Sequence, residues 1–253
     1  MFHREPGLTA TVSTIAENRP SLLSKLLQLV VTRQSVWTRR DLRRTVPICR
    51  NFGSSRGKPI DRYYIETFLG ACKADIFGTV LEVKDDAYTR RFGVSRVTQS
   101  EVIDIKPTSQ ATIIADLENE PALPAGHFDC IIFTQTLQYI FNFDAAIEAL
   151  YRALKPGGTL LLTAPGNTPL AQSLFPDTWY WSFTRGSVRR ILERRFPREC
   201  IDMQIFGNVL AAKALLDGLA FEDVGRADLD ICDPDYQVII AARAEKPAAS
   251  REL

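Results

Sequence analysis

Three acidic residues each close a short apolar run: Glu82 in Thr-Val-Leu-Glu-Val, Asp104 in Glu-Val-Ile-Asp, and Asp116 in Ile-Ile-Ala-Asp. Carboxylates at the carboxyl ends of parallel strands can accept hydrogen bonds from a ligand lying across the sheet edge. Asp104 follows Glu82 by 22 residues, a spacing at which an acid reaches ribose hydroxyls in an open α/β sheet. An Asp capping the turn at Lys106-Pro107 fits the same position, and for Asp116 the plain reading is again a strand-end turn. Between the first two acids stands Lys84-Asp85-Asp86-Ala87-Tyr88. Charged side chains are poor core fillers, so this run points into a wet cleft. A fourth apolar run ends in Thr134-Gln135-Thr136, with Gln138 and Tyr139 just beyond, and brings polar groups to the same edge. General bases are scarce. The histidines are His3 and His127, and His127 enters the fourth run from its amino end, the edge away from chemistry. Deprotonation therefore falls to Asp, Glu or Tyr, and no single residue stands out as catalytic.

These side chains need a scaffold. Apolar runs predict strands at 79–83, 101–105, 111–115, 128–134 and 158–163. The run Phe128–Thr134 is apolar without alternation, as expected for a strand buried on both faces. A helix at 144–154 separates the last two strands, and only 17 residues lie between Val83 and Glu101, enough for one or two helical turns. Asp61 is read as the cap of a helix through Lys73, with Ile65, Phe68, Leu69 and Cys72 as its apolar stripe. Further on come a helix at 186–195, a strand near 200–206, a helix at 208–219 and a last strand, Tyr236 to Ala242. The alternation predicts an α/β fold, a parallel sheet with helices on both faces. Trp179-Tyr-Trp-Ser-Phe183 reads either as a cluster covering the sheet edge or as a stacking surface for a ring.

Composition narrows the classes. The chain has 253 residues, 45% hydrophobic and 24% charged, with a formal net charge of +1, which fits a globular domain and no global pull toward nucleic acid or membrane. No apolar run is long enough to span a bilayer, and the N-terminus lacks the layout of a signal peptide, so a cytoplasmic protein is expected. Five scattered cysteines without a Cys-x-x-Cys pair predict neither a disulfide framework nor a metal site. Residues 21–31 have helical apolar spacing and read as a packed helix, with a partner-binding or membrane-surface helix as the alternative. Residues 33–62 are rich in arginine, read as a solvated face or as a holder for an anionic substrate.

Three segments carry a resemblance. Gly78-Thr-Val-Leu-Glu-Val-Lys84-Asp-Asp-Ala-Tyr-Thr-Arg-Arg-Phe-Gly93, Phe128-Asp-Cys-Ile-Ile-Phe-Thr-Gln-Thr-Leu-Gln-Tyr139 and Ala153-Leu-Lys-Pro-Gly-Gly-Thr-Leu-Leu-Leu-Thr-Ala-Pro165 resemble, in order and spacing, the class I S-adenosylmethionine (SAM)-dependent methyltransferases. Together with Arg56-Gly-Lys-Pro-Ile-Asp-Arg-Tyr-Tyr-Ile-Glu66, they look like a bacterial group associated with glycosyltransferases and surface polysaccharides. The resemblance implies a Rossmann-like, seven-stranded, mostly parallel sheet with an antiparallel last strand and an N-terminal helical extension. Its divisions are an extension at 1–54, the methyltransferase-like domain at 55–245 and a tail at 246–253.

The resemblance also implies SAM as cofactor, with Glu82, Lys84, Asp104, Asp116, Leu117 and Gln135 positioning it. Gln135, Gln138 and Tyr139 would face the methyl group, and 168–183 would form a lid over the acceptor. It departs from the family in its first loop. Lys84 and Asp86 occupy glycine positions and Tyr88 a third small position. Either the loop has rebuilt its path and still binds SAM, or side chains fill the pocket. The first expectation is methylation of a small molecule or saccharide at oxygen, with a homo-oligomer or protein partner allowed for. The second is a non-catalytic domain that serves as a binding or scaffolding partner, for instance of a glycosyltransferase.

Overall fold

The computed structural model describes residues 44–119, 123–174 and 176–248. The helix expected at 21–31, the first part of the basic segment (33–43) and the end of the tail (249–253) lie outside the described residues. Helix α1 (Ile60–Ala71) precedes strands β1 (Gly78–Val83), β2 (Val97–Asp104), β3 (Ile113–Ile114) and β4 (Phe128–Thr134). Then come α2 (Phe143–Ala153), β5 (Leu154–Pro165), α3 (Arg185–Leu192), β6 (Ile201–Phe206), α4 (Val209–Asp217), the short helices α5 (Phe221–Val224) and α6 (Arg226–Leu229), and β7 (Ile239–Glu245). The strands form one seven-stranded sheet in the order β3-β2-β1-β4-β5-β7-β6. The pairs from β3 to β5 are parallel, and β7 runs antiparallel to both β5 and β6. The expected architecture is present.

Side-chain alternation divides the core between the two faces of the sheet. Leu81, Ile131, Phe133, Leu160, Leu162 and Ile240 face α2 and α3. Val80, Cys130, Ile132, Leu161 and Ala241 face Ile65, Phe68 and Leu69 of α1. The continuous apolar runs in β1, β4 and β5 are thus buried on both sides, and Cys130 is a core residue, as its setting implied.

Several boundaries differ from expectation for local reasons. Asp61 does not cap α1: Pro59 is the N-cap position, and Asp61 lies inside the first turn. Strand β2 starts at Val97, four residues early, so the crossover from β1 is a single π-helical turn at Thr89–Gly93 followed by a 3-10 turn. Strand β3 shrinks to two residues. Strand β5 begins at Leu154, four residues ahead of the expected start at 158, and runs through Lys155-Pro-Gly-Gly. Gly157 has φ +81°, and a Cβ at Gly158 would meet the Phe128 carbonyl oxygen at 3.0 Å. The glycines bend the strand beside β4 instead of ending it. The final strand is Ile239–Glu245, three residues later than read. Helices α2, α3 and α4 are set by side-chain caps from Asn142, Thr184 and Asn208.

Candidate functional site

The strand order reverses between β1 and β4, so the carboxyl ends of β1 to β4 frame the crevice where ligands bind in open α/β sheets. The loop after β1 decides whether that crevice is usable. Lys84 has φ +76°, a left-handed conformation that glycine adopts freely and a residue with a Cβ does not. Its backbone N–H donates to the Ile103 carbonyl at 2.9 Å, tying the loop to β2, while its side chain is exposed. Asp85 Oδ1 accepts from the Ala87 N–H at 3.0 Å, and Asp86 turns outward to Arg90 at 2.8 Å. The chain keeps a glycine-like path without the glycine.

Tyr88 leaves the crevice altogether. Its ring is buried under α1, its hydroxyl accepts from Arg62, and the guanidinium carbon lies 5.4 Å from the ring centre. Burial pushes its phenol up to about 12. The turn that follows is clamped to α1 by Glu66, which pairs with Lys58 at 2.6 Å and Arg91 at 2.7 Å.

Glu82 stands behind the loop. It is 3% exposed. Its Oε1 accepts from the Tyr88 N–H at 3.1 Å, and its Oε2 accepts from the Thr89 N–H and hydroxyl, each at 2.7 Å. Burial raises its carboxyl to about 7, against the pull of those three donors toward the ionised form. Both oxygens are engaged with the chain, which makes Glu82 a brace for the loop.

Asp104 and Asp116 both take the turn role weighed above. Asp104 sits at the end of β2, where Oδ1 accepts from the Lys106 N–H at 3.0 Å. Asp116 Oδ1 accepts from the Glu118 N–H at 3.0 Å and Oδ2 from the Asn119 side chain at 2.8 Å. Each is a turn residue at the predicted edge, and a carboxylate with two oxygens retains acceptor capacity beyond such bonds. Leu117 is buried beside Asp116 and packs in the core on the α2 side of the sheet.

At the end of β4, Gln135 has φ +47°, a second non-glycine residue in the left-handed region. Its N–H donates to the Thr163 carbonyl at 2.9 Å, and its side-chain amide donates to the Thr163 hydroxyl at 3.3 Å. Backbone strain thus sits on both strands that flank the switch point, where functional sites commonly hold it. Gln138 is fully buried, donates from Nε2 to the Gln135 carbonyl at 2.9 Å, and has an Oε1 that accepts no hydrogen bond from the described residues. Tyr139 packs edge-on against Trp179, with ring centres 5.3 Å apart.

The aromatic segment is both cover and surface. The Tyr180 N–H donates to the Gln138 carbonyl at 2.9 Å, and Trp181 Nε1 donates to the Ile140 carbonyl at 3.0 Å, strapping 179–181 across the end of β4. Phe183 is buried, while Phe141 and Tyr180 remain exposed. His127 lies at the amino end of β4, where its N–H donates to the Ala153 carbonyl, away from the crevice.

Sequence reading passed over Arg62, Glu66 and Thr89, whose partners lie on other elements. It also misassigned Asp61. Inside the first turn of α1, its Oδ1 accepts from the Arg62 N–H at 2.7 Å, and burial raises the carboxyl above its ordinary value. Among the described residues no group of His, Cys, Asp and Glu could hold a metal, and no helix is long and apolar enough to cross a membrane.

The family described as "Methyltransferase domain" matches residues 74–198, a span from just before β1 to just past α3. Among curated proteins, the chain is 46% identical over 48 residues to the ubiquinone/menaquinone biosynthesis C-methyltransferase UbiE of Pseudomonas putida, covering 19% of this chain and 18% of that protein. It is 31% identical over 88 residues to UbiE of Psychromonas ingrahamii, covering 35% of each. The chain therefore aligns with 35% or less of the length of these relatives. Among solved structures, the N-methyltransferase NodS from Bradyrhizobium japonicum WM9, in complex with S-adenosyl-L-homocysteine, superposes with TM-score 0.48 at 15% identity, over 83% of this chain and 96% of NodS. The [4+2]-cyclase SpnF superposes with TM-score 0.49 at 16% identity, over 77% and 84%. Residues 74–198 thus match the methyltransferase-domain family, and they carry strands β1 to β5 of the sheet.

Proposed function

We propose that the domain binds SAM across the carboxyl ends of β1 to β4 and methylates a small-molecule or saccharide acceptor at oxygen. The observation that carries this reading is the loop after β1: Lys84 takes the glycine conformation, and Asp86 and Tyr88 turn away from the crevice. The residues there suit the cofactor's groups. Asp104 would accept from ribose hydroxyls, Asp116 from the adenine amine, and the Leu117 N–H would donate to a ring nitrogen. The exposed Lys84 ammonium would meet the methionine carboxylate, with the backbone at Gln135 beside it. Glu82 acts at one remove, holding the loop through Tyr88 and Thr89.

When bound, SAM supplies a methyl group on a sulfonium, a good leaving group. The chain's task is alignment of the acceptor, which supplies much of the rate in such displacements. Gln138 and Tyr139 face the acceptor side, and the strap at 179–181 excludes water from it.

Calorimetric titration with SAM and S-adenosylhomocysteine tests the reading. Micromolar binding that disappears in Asp116→Ala is expected. No heat at millimolar ligand would leave the non-catalytic scaffold as the better account.

A further inference from the structure

A second cleft is lined by residues of α2, of α3 and of the aromatic segment before α3. A cleft of about 290 Å³ opens between the start of α2 and the outer face of α3. Phe143, Trp181, Phe183 and Ile191 line it with apolar surface, and Arg190 and Arg194 stand among its polar lining. Trp181 and Phe143 are packed edge-to-face, ring centres 5.5 Å apart. The Trp181 indole N–H is already spent on the Ile140 carbonyl, so the ring offers the cleft apolar surface and no donor.

The two arginines differ. Arg194 pairs with Asp144 across the cleft, bracing α3 against α2. The Arg190 guanidinium is exposed and makes no ion pair or hydrogen bond with the described residues. Its setting amplifies its charge. Between Arg185 and Arg198 there are six arginines and a single acid, Glu193. Three of the six, Arg194, Arg195 and Arg198, are in ion pairs, which leaves the field around Arg190 positive.

We propose that this cleft binds a flat ring carrying a phosphate group. The ring fits against Trp181 and Phe143, since aromatic walls favour flat apolar faces. The phosphate meets Arg190, whose planar fork of donors matches phosphate oxygens and is here uncommitted. The size sets a limit. Ligand pockets run from roughly 300 to 1,000 Å³, so the cleft takes one ring and one anionic group, not a whole nucleotide. Binding there requires neither SAM nor the β1–β4 crevice.

The test titrates the full chain with phenyl phosphate, inorganic phosphate and phenol, without SAM, following heat and tryptophan fluorescence. Phenyl phosphate is expected to bind at least about tenfold more tightly than either fragment, since only it uses both walls and fork. Arg190→Gln, a change at an exposed and unpaired side chain, is expected to weaken phenyl phosphate about tenfold. Arg185→Gln, on the same helix but outside the cleft, is expected to leave it unchanged. Equal affinity for phenyl phosphate and inorganic phosphate overturns the proposal, as does equal loss in the two variants. Either would mean diffuse attraction to a basic helix. No binding at 10-fold above millimolar probe overturns it as well. Titration with SAM runs as a separate experiment, so failure here leaves the methyltransferase reading standing, and the reverse also holds.

Discussion

Replacing Lys84 by glycine separates backbone strain from side-chain chemistry. Lys84 holds φ +76°, and a left-handed conformation costs a residue with a Cβ about 1–2 kcal/mol. Glycine avoids that cost but loses about 0.5–1 kcal/mol more backbone entropy on folding. The difference favours Lys84→Gly by about 0.5–1 kcal/mol, or about 1–4 °C in Tm for a domain of this size. Lys84→Ala keeps the Cβ and the strain, so its stability should stay within about 0.5 kcal/mol of the parent. Both variants lose the ammonium. At an exposed position its contact with a ligand carboxylate is worth about 1 kcal/mol, so both should bind S-adenosylhomocysteine about fivefold more weakly. Thermal melts and calorimetry on the three proteins give the comparison. If Lys84→Gly melts below both the parent and Lys84→Ala, the loop is not held in a glycine path and the reasoning fails. Unchanged affinity in both variants would remove Lys84 from the ligand site.

Other outcomes follow from the same geometry. Glu82 has its carboxyl raised from an ordinary value near 4.5 to about 7, so the folded state keeps a proton that the unfolded chain gives up. Its contribution to stability should fall as pH rises from about 4.5 to about 7, by about 1–3 kcal/mol, and Glu82→Gln should lose that slope in urea titrations across the window. Gly218 has φ +74°, and a Cβ there would lie 1.9 Å from the Cys49 carbonyl oxygen. Gly218→Ala should cost more than about 2 kcal/mol in chemical denaturation, and a neutral result would mean that residues 48–49 do not pack on α4. Arg243 holds Asp75 through two hydrogen bonds, 3.0 and 2.8 Å, in a half-buried setting. Arg243→Ala should cost about 2–3 kcal/mol, while losing less than about 0.5 kcal/mol would reduce the pair to a surface contact.

What the sequence disclosed and withheld follows the range of the interactions involved. The strand that carries Glu82, the buried run of β4 and the helix over 143–153 rest on local periodicity, and they were readable. The parallel order of the sheet followed from alternation, and the antiparallel last strand from resemblance. The fate of Lys84, Asp86 and Tyr88 was not readable. Tyr88 is drawn under α1 by Arg62, 26 residues earlier in the chain, and no local pattern encodes that pairing. Glu82 pointed to the right loop, but its engagement by Tyr88 and Thr89 needed the π-helical turn, which sequence does not announce. Asp61 looked like a cap because an acid at a helix start commonly is one; Pro59 moved the start by two residues. The Pro-Gly-Gly segment lay between the helix expected at 144–154 and the strand expected at 158–163, because such residues usually mark a break, whereas pairing with β4 holds them in a strand.

The place of β7 has a consequence for how the protein comes into being. Strand β7 is the last strand made, yet it sits between β5 and β6 and pairs with β5 over Thr159–Pro165 and with β6 over Ile201–Phe206. Until residue 245 has been synthesised, two strands already made present unpaired edges to the surroundings. The nascent sheet can close only when Ile239–Glu245 arrives, and its closure spans roughly eighty residues from β5. Contacts so distant in sequence slow folding, and open edges invite pairing with other chains. Loss of Ile239–Glu245 would thus do more than shorten the protein. It would leave a sheet with two adhesive margins, and aggregation during synthesis would become the first visible defect.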